Sequence, residues 1–150
     1  MSDSLKAVLD TQIFLRTAIN PRSACARLSP RFWRGYYSLY VSDAIEAEIT
    51  DVLNRPSIRT KFPQITNQVV ADIINTVHAE AHRVQPEQPI EAVSHDPKDD
   101  IFLACAKAAQ ADYLVSEDND LLVLGQHYTT QIINVAAFLT IFEKRRDQTS

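Results

Sequence analysis

Ala7-Val8-Leu9-Asp10-Thr11 is the stretch whose reading decides the fold. Three consecutive apolar residues form a run too short for a helix. Such a run predicts a buried strand, and the aspartate closing it sits where the chain leaves the sheet. Tyr113-Leu114-Val115-Ser116-Glu117-Asp118 repeats the arrangement, with a strand predicted over 113–116 and an acid two residues beyond. Ser38 to Val41 and Gln131 to Val135 predict two further strands. If the strands over 7–9 and 113–116 are parallel, Asp10 and Asp118 fall on one edge of the sheet, where open parallel sheets bind ligands. From pattern alone, Asp10 reads equally well as a helix cap or a turn residue.

The segments between these strands are helical. A helix is expected over 21–37, with a break near Pro30. Ser42 is placed to cap a helix from Asp43 to Leu53, with Ile45, Ile49, Val52 and Leu53 on one side. Arg55-Pro56 ends it. Thr66 to Val84 repeats the pattern through Val69, Val70, Ile73, Ile74 and Val77, and Gln85 to Pro89 is a loop. Asp96-Pro97 opens a helix to about Ala109 that is apolar on nearly every side and therefore central. Ala136 to Lys144 is a closing helix, and Arg145 to Ser150 a polar tail expected to fray. Short strands alternating with helices predict an α/β fold with a mainly parallel sheet, in a single domain over residues 1–150.

Composition excludes several classes. With Gly35 and Gly125 as its two glycines, the chain has no glycine-rich phosphate loop. There is no G-x-S-x-G turn for a nucleophilic serine. Cys25 and Cys105, in apolar surroundings, predict buried reduced thiols rather than a disulfide framework. No signal peptide or lipidation signal is visible, and the longest apolar stretch, Ile132 to Phe142, is too short to span a bilayer. A cytoplasmic location is expected. Net charge is −4, weak grounds against broad nucleic-acid affinity, although acids gathered at one site would give the same balance.

Those acids carry the chemistry. Asp96-Pro97-Lys98-Asp99-Asp100 has a structural explanation in part: Asp96 suits an N-cap, Pro97 the first helical position, and acids the first turn. Capping accounts less well for Asp99 and Asp100, which lead straight into an apolar helix. A carboxylate about to be buried there needs a partner or a metal. Glu46 and Glu48 lie at opposite borders of their helix's apolar stripe, and periodicity does not choose between them. Carboxylates converging on one cavity repel, and a hard divalent cation such as Mg²⁺ or Mn²⁺ would neutralise them. Such an ion also supports phosphodiester hydrolysis. Cations for a polyanion are available between Thr11 and Ser42, where no acid occurs but Arg16, Arg22, Arg27, Arg31 and Arg34 do. Phe32, Trp33, Tyr36, Tyr37 and Tyr40 interleave with them. They could stack bases, or pack in the core beside solvated arginines. His78 and His82 have the spacing of a zinc-binding HExxH pair, but the intervening glutamate is misplaced, and His95 and His127 have no recognisable partner.

Four stretches, taken together, resemble the acidic motifs of the PIN domain family. They are Val8-Leu9-Asp10-Thr11, Ser42 to Ile49, Asp96 to Ala106, and Ala111 to Leu122. The most specific are Asp-Pro-x-Asp-Asp before an alanine-rich helix and Ser-x-Asp-x-Asp-Leu-Leu. The likeness is greatest to the toxins of bacterial toxin–antitoxin systems (VapC-like). It implies a three-layer α/β/α fold and a metal-dependent endoribonuclease that leaves a 5′-phosphate and a 3′-hydroxyl. Asp10, Glu48, Asp99 and Asp118 match the catalytic, metal-binding acids, with Asp120 or Asp100 auxiliary and Asp96 beside them. Thr11 and Ser116 would be hydroxyls orienting carboxylates. An antitoxin partner and a homodimer are also implied. The chain departs from the family pattern at Gln12, often asparagine, and at Glu117, often glycine. Its rivals are a nuclease of RNA processing or repair, and a silent PIN-like module that binds RNA or protein.

Overall fold

The computed structural model describes residues 4–31, 33–94 and 96–149, with side chains described up to Lys144. Phe32 and His95 lie outside the described residues. In chain order the elements are β1 (Leu5–Leu9), α1 (Thr11–Ile19), β2 (Tyr37–Val41), α2 (Asp43–Asn54), α3 (Pro56–Lys61), α4 (Asn67–Glu80) and β3 (His82–Arg83). Then follow α5 (Asp100–Ala109), β4 (Tyr113–Val115), α6 (Asn119–Leu122), β5 (Gln126–His127), β6 (Thr130–Ile133) and α7 (Val135–Thr149).

The strands form one six-stranded sheet in the order β3-β2-β1-β4-β6-β5. All neighbours are parallel except β5, which returns on β6 as an antiparallel hairpin. The chain leaves β1 toward β2 and β3 on one side and comes back to β4 on the other. Right-handed crossovers then place α1–α4 and α5 on opposite faces, which gives the three layers expected. Helices α1, α2 and α4 pack on one another, and α5 lies against β1, β2 and β4. Because the strand order reverses between β1 and β4, the crevice at their carboxyl ends is the topological switch point of the sheet.

Capping fixes the helix starts. The Ser42 hydroxyl accepts the Ile45 N–H at 3.3 Å, as its sequence position predicts, and Thr66 does the same for Val69 at 3.2 Å.

The structure corrects several boundaries. Thr11–Ile19 is a helix that sequence reading passed over, with Ile13, Phe14, Leu15 and Ala18 buried. Asp10 and Thr11 looked like the end of a strand and hid its beginning. The described residues between 21 and 36 do not form an α-helix; they make turns and one 3₁₀ turn at Ala26–Leu28, and Tyr37 opens β2. Pro30 removes a helical donor, and Gly35 takes a left-handed φ of 88°. The helix expected to reach Val84 stops at Glu80, and His82–Arg83 join the sheet beside β2. The closing helix continues to Thr149, into the stretch expected to be a tail. The segments α3, α6 and β5 are too short for periodicity to reveal.

The described aromatic residues of the 33–40 stretch serve the core. Trp33 and Tyr37 are 5% and 3% exposed. Their rings meet Phe142 at 4.9 and 5.2 Å between centroids. The Trp33 Nε1–H donates to the Arg27 carbonyl at 2.7 Å, and the Tyr37 hydroxyl donates to the Leu28 carbonyl. Tyr36 and Tyr40 are half-buried; Tyr36 packs edge-on against Trp33 and Tyr40 stacks on His82. Base stacking by Trp33 or Tyr37 is therefore excluded by burial.

Candidate metal centre

Register brings the two strand-end acids together. Leu9 pairs with Val115, so Asp10 and the Ser116–Asp118 turn leave the sheet side by side. The Asp10 N–H donates to the Val115 carbonyl at 3.1 Å. One carboxylate oxygen of Asp10 accepts the Ile13 N–H at 3.3 Å, so Asp10 does cap α1. The other oxygen accepts from the Ser116 hydroxyl, which in turn accepts the Asp118 N–H at 2.9 Å. A single serine thus ties the end of β1 to the turn after β4.

A cleft of about 210 Å³ opens at this point, lined by Asp10, Thr11, Gln12, Glu48, Val52, Arg55, Asp96, Lys98, Asp99, Phe102 and Asp118. Glu48 enters it from α2 and accepts from the Thr11 hydroxyl at 2.5 Å. Glu46, across the helix, instead meets Arg83 at 3.2 Å and His78 at 3.2 Å. That contrast resolves the choice periodicity left open. It also gives His78 a partner on the surface, well short of a zinc site.

Asp96, Asp99 and Asp100 are adjacent in sequence but do different things. Asp96 caps the 3₁₀ turn Pro97–Asp99, accepting the Lys98 N–H at 3.0 Å. Asp100, expected as an auxiliary acid, is 5% exposed and points elsewhere. Its Oδ1 accepts from Val93 N at 3.1 Å, Ser94 N at 2.7 Å and the Ser94 hydroxyl at 2.9 Å, pinning the preceding loop. Asp99 sits at the start of α5 but makes no capping hydrogen bond. It is 8% exposed, and its Oδ2 is buried without a donor. The side chain it faces is another carboxylate, Asp118.

Asp99, Asp118 and Asp120 each offer an oxygen, and these oxygens lie within 4.8 Å of one another. Asp118 also accepts the Asp120 N–H at 2.9 Å, which fixes the turn. Burial, reinforced by the charges of Asp118 and Asp96, lifts Asp99 to about 7. Burial also lifts Asp10 to about 6, against the opposing hydrogen bonds from Ser116 and Ile13. A buried, donorless carboxylate oxygen in an all-oxygen cluster is what a hard divalent cation requires, so the residues fit Mg²⁺ or Mn²⁺.

Glu117 does not face the cleft; its Oε1 accepts the Val135 N–H at 3.3 Å, at the start of α7. Gln12 lines the cleft and is exposed. None of Arg16, Arg22, Arg27, Arg31 and Arg34 lines it. Arg27 pairs with Glu143 at 2.9 Å, and Arg34 pairs with Glu80. The cations that do line the cleft, Arg55 and Lys98, were missed as such. Arg55 was read only as a helix stop. Its signal was its spacing from Glu48 and Val52 at i, i+4 and i+7, which continues their stripe to the C-cap of α2.

The PIN domain family profile matches residues 6–120, a span holding every acid of the cleft and Asp120. No curated protein matches the chain significantly. Among solved structures, the crystal structure of PAE2754 from Pyrobaculum aerophilum aligns with a TM-score of 0.58 at 12% identity. The alignment covers 95% of this chain and 92% of that one, a likeness of fold.

Proposed function

The chain belongs to the PIN domain family, and on that premise we propose that it is a divalent-metal-dependent endoribonuclease, the toxin of a toxin–antitoxin pair acting in the cytoplasm. The family's members are typically metal-dependent nucleases. The observation that carries the proposal is the buried, donorless Oδ2 of Asp99 beside Asp118 at the switch point of the sheet. Nothing in the protein's own hydrogen bonding satisfies that oxygen.

Asp99, Asp118 and Asp120 would hold the cation, with Asp10 and Glu48 lining the same cleft. Bound there, Mg²⁺ or Mn²⁺ supplies a water of lowered pKa and stabilises charge on the phosphoryl oxygens. The Ser116 and Thr11 hydroxyls hold Asp10 and Glu48 in fixed orientations, so the carboxylates need little reorganisation. Water adds to phosphorus in line, the P–O3′ bond breaks and O3′ takes up a proton. The products are a 5′-phosphate and a 3′-hydroxyl. The toxin assignment and the antitoxin partner rest on the resemblance of the four motifs to the family's toxin branch, and the homodimer on analogy with other small PIN domains. A short antitoxin gene beside this one would support the pairing further.

The test is incubation of a mixed RNA panel with purified protein in Mn²⁺, Mg²⁺ or excess chelator, with an Asp99→Asn preparation in parallel. Metal-dependent cutting by the parent alone, giving 5′-phosphate ends, is the expected result. Equal cutting by both preparations would expose a contaminating ribonuclease and remove the support for the assignment.

A further inference from the structure

From the cleft's own charges we infer that Arg55 and Arg59 form the track along which single-stranded RNA enters or leaves the acidic centre. The inference rests on the nuclease assignment for what happens in the cleft, but not for the binding itself. Five carboxylates line the cleft: Asp10, Glu48, Asp96, Asp99 and Asp118. Beyond what a cation held on them would neutralise, a polyanion approaching them is favoured by protein cations that hold the phosphates flanking the reacting one.

Arg55 meets that need. It lines the cleft from the C-cap of α2, just past the helix's last turn and roughly 10 Å along the axis from Glu48. Its guanidinium pairs with Asp51 rather than with Glu48, whose Oε2 is held by the Thr11 hydroxyl, so it is available to hold a phosphate neighbouring the reacting one. Its acidic partner is Asp51, one turn back at 2.9 Å, with side chains 44% and 65% exposed respectively. A pair so exposed contributes little and exchanges readily for phosphate. Arg55 also caps α3, a helix with no buried residue, and Arg59 follows one turn on. The Arg59 guanidinium reaches the neutral amides of Asn54 at 3.1 Å and Asn67 at 2.5 Å. From Val52 to Ala71 the chain has no acidic residue. The path from the cleft lip across α3 is therefore cationic and open. The arginines between Thr11 and Ser42, in contrast, include two engaged by Glu143 and Glu80.

The experiment is binding of a short labelled single-stranded RNA of mixed sequence, measured in chelator and again in Ca²⁺, over a range of salt. Parent, Arg55→Ala/Arg59→Ala, Arg55→Lys/Arg59→Lys and Arg22→Ala proteins are compared, each checked by thermal melting. The double alanine variant is expected to bind about 10-fold more weakly at low salt. The magnitude of its log–log salt slope should fall by about 1.4, two contacts at about 0.7 each. The lysine pair should recover most of the affinity, and Arg22→Ala should stay within about twofold of the parent. The inference is overturned if the parent binds no RNA, or if a folded double alanine variant keeps the parent's affinity and slope. Cleavage in Mn²⁺ by the same preparations separates the two claims. A parent that binds through Arg55 and Arg59 but never cuts would sink the nuclease assignment and leave the track. A parent that cuts while the double variant binds equally well would do the reverse.

Discussion

Asp99 and Asp100 are neighbours with opposite energetic roles, and substitution separates them. Asp100 Oδ1 accepts three hydrogen bonds from Val93 and Ser94 while buried. Asp100→Ala leaves the Val93 and Ser94 N–H groups unpaired, while the Ser94 hydroxyl keeps the Asp96 carbonyl, and should cost about 2 kcal/mol by denaturant titration. Asp99 accepts none on Oδ2 and faces a like charge. Asp99→Asn should raise metal-free stability by about 1 kcal/mol near neutral pH, a few degrees in Tm, because its amide can donate to a neighbouring carboxylate. Loss of stability in Asp99→Asn would contradict the account of that oxygen. The acids also set a pH dependence. Asp10 and Asp99 stand at about 6 and about 7 in the folded chain against 3.8 unfolded. Between these values the folded state binds more protons than the unfolded one. The contribution to stability is thus full below about 4 and is lost as pH rises through 6 and 7. In chelator, the pair should cost a few kcal/mol, at most about 5, between pH 4.5 and 8. A pH series of melts should show the decline, smaller in Asp99→Asn. Of the site's residues, motif order made Asp10, Glu48, Asp99 and Asp118 legible. The sequence could not show that Asp100 is bonded into a loop, because adjacent positions in one turn of helix point in different directions.

Elements matter here through their ends. Ser116, the residue after β4, donates to Asp10 after β1 and accepts the Asp118 N–H, so it couples two strand ends that are far apart in sequence. Ser116→Ala should lower cleavage about 10- to 100-fold, with much less effect on melting, the usual cost of removing a group that orients a metal-binding side chain. A melting loss large enough to account for the activity would assign the serine to folding instead. Helix α1 shows what periodicity misses. Its stripe through Ile13, Phe14 and Ala18 is present, but the helix begins within two residues of a strand, and the strand signal absorbed its cap. The 21–37 stretch shows the converse. Its arginines and aromatics have helical spacing, yet Pro30 and Gly35 dictate turns and the Trp33 and Tyr37 rings turn inward. Trp33, the chain's one tryptophan, should therefore keep a blue-shifted emission that RNA leaves unquenched. Quenching by stacked bases would contradict its placement in the core.

At the scale of the whole molecule, topology does what no single motif can. The mainly parallel sheet was legible from strands alternating with helices, and it made Asp10 and Asp118 neighbours once the strand order reversed between β1 and β4. Right-handed crossovers then bring α2 with Glu48 and α5 with Asp99 to the same crevice from opposite faces. The distribution of cations was not legible. Arginines close together in sequence between residues 16 and 34 lie off the cleft, while Arg55 lines it by way of α2. Charge runs are visible in a sequence, but charge around a cavity is a property of the folded chain. The central claim is that this crevice is built to hold a divalent cation on Asp99 and its partners. A calorimetric titration of Mn²⁺ into metal-free parent and Asp99→Asn proteins near pH 7.5 tests it most directly. Saturable binding with proton release by the parent, lost or weakened at least 10-fold in a folded Asp99→Asn, is the expected result. Equal binding by both, or none by a folded parent, would contradict it.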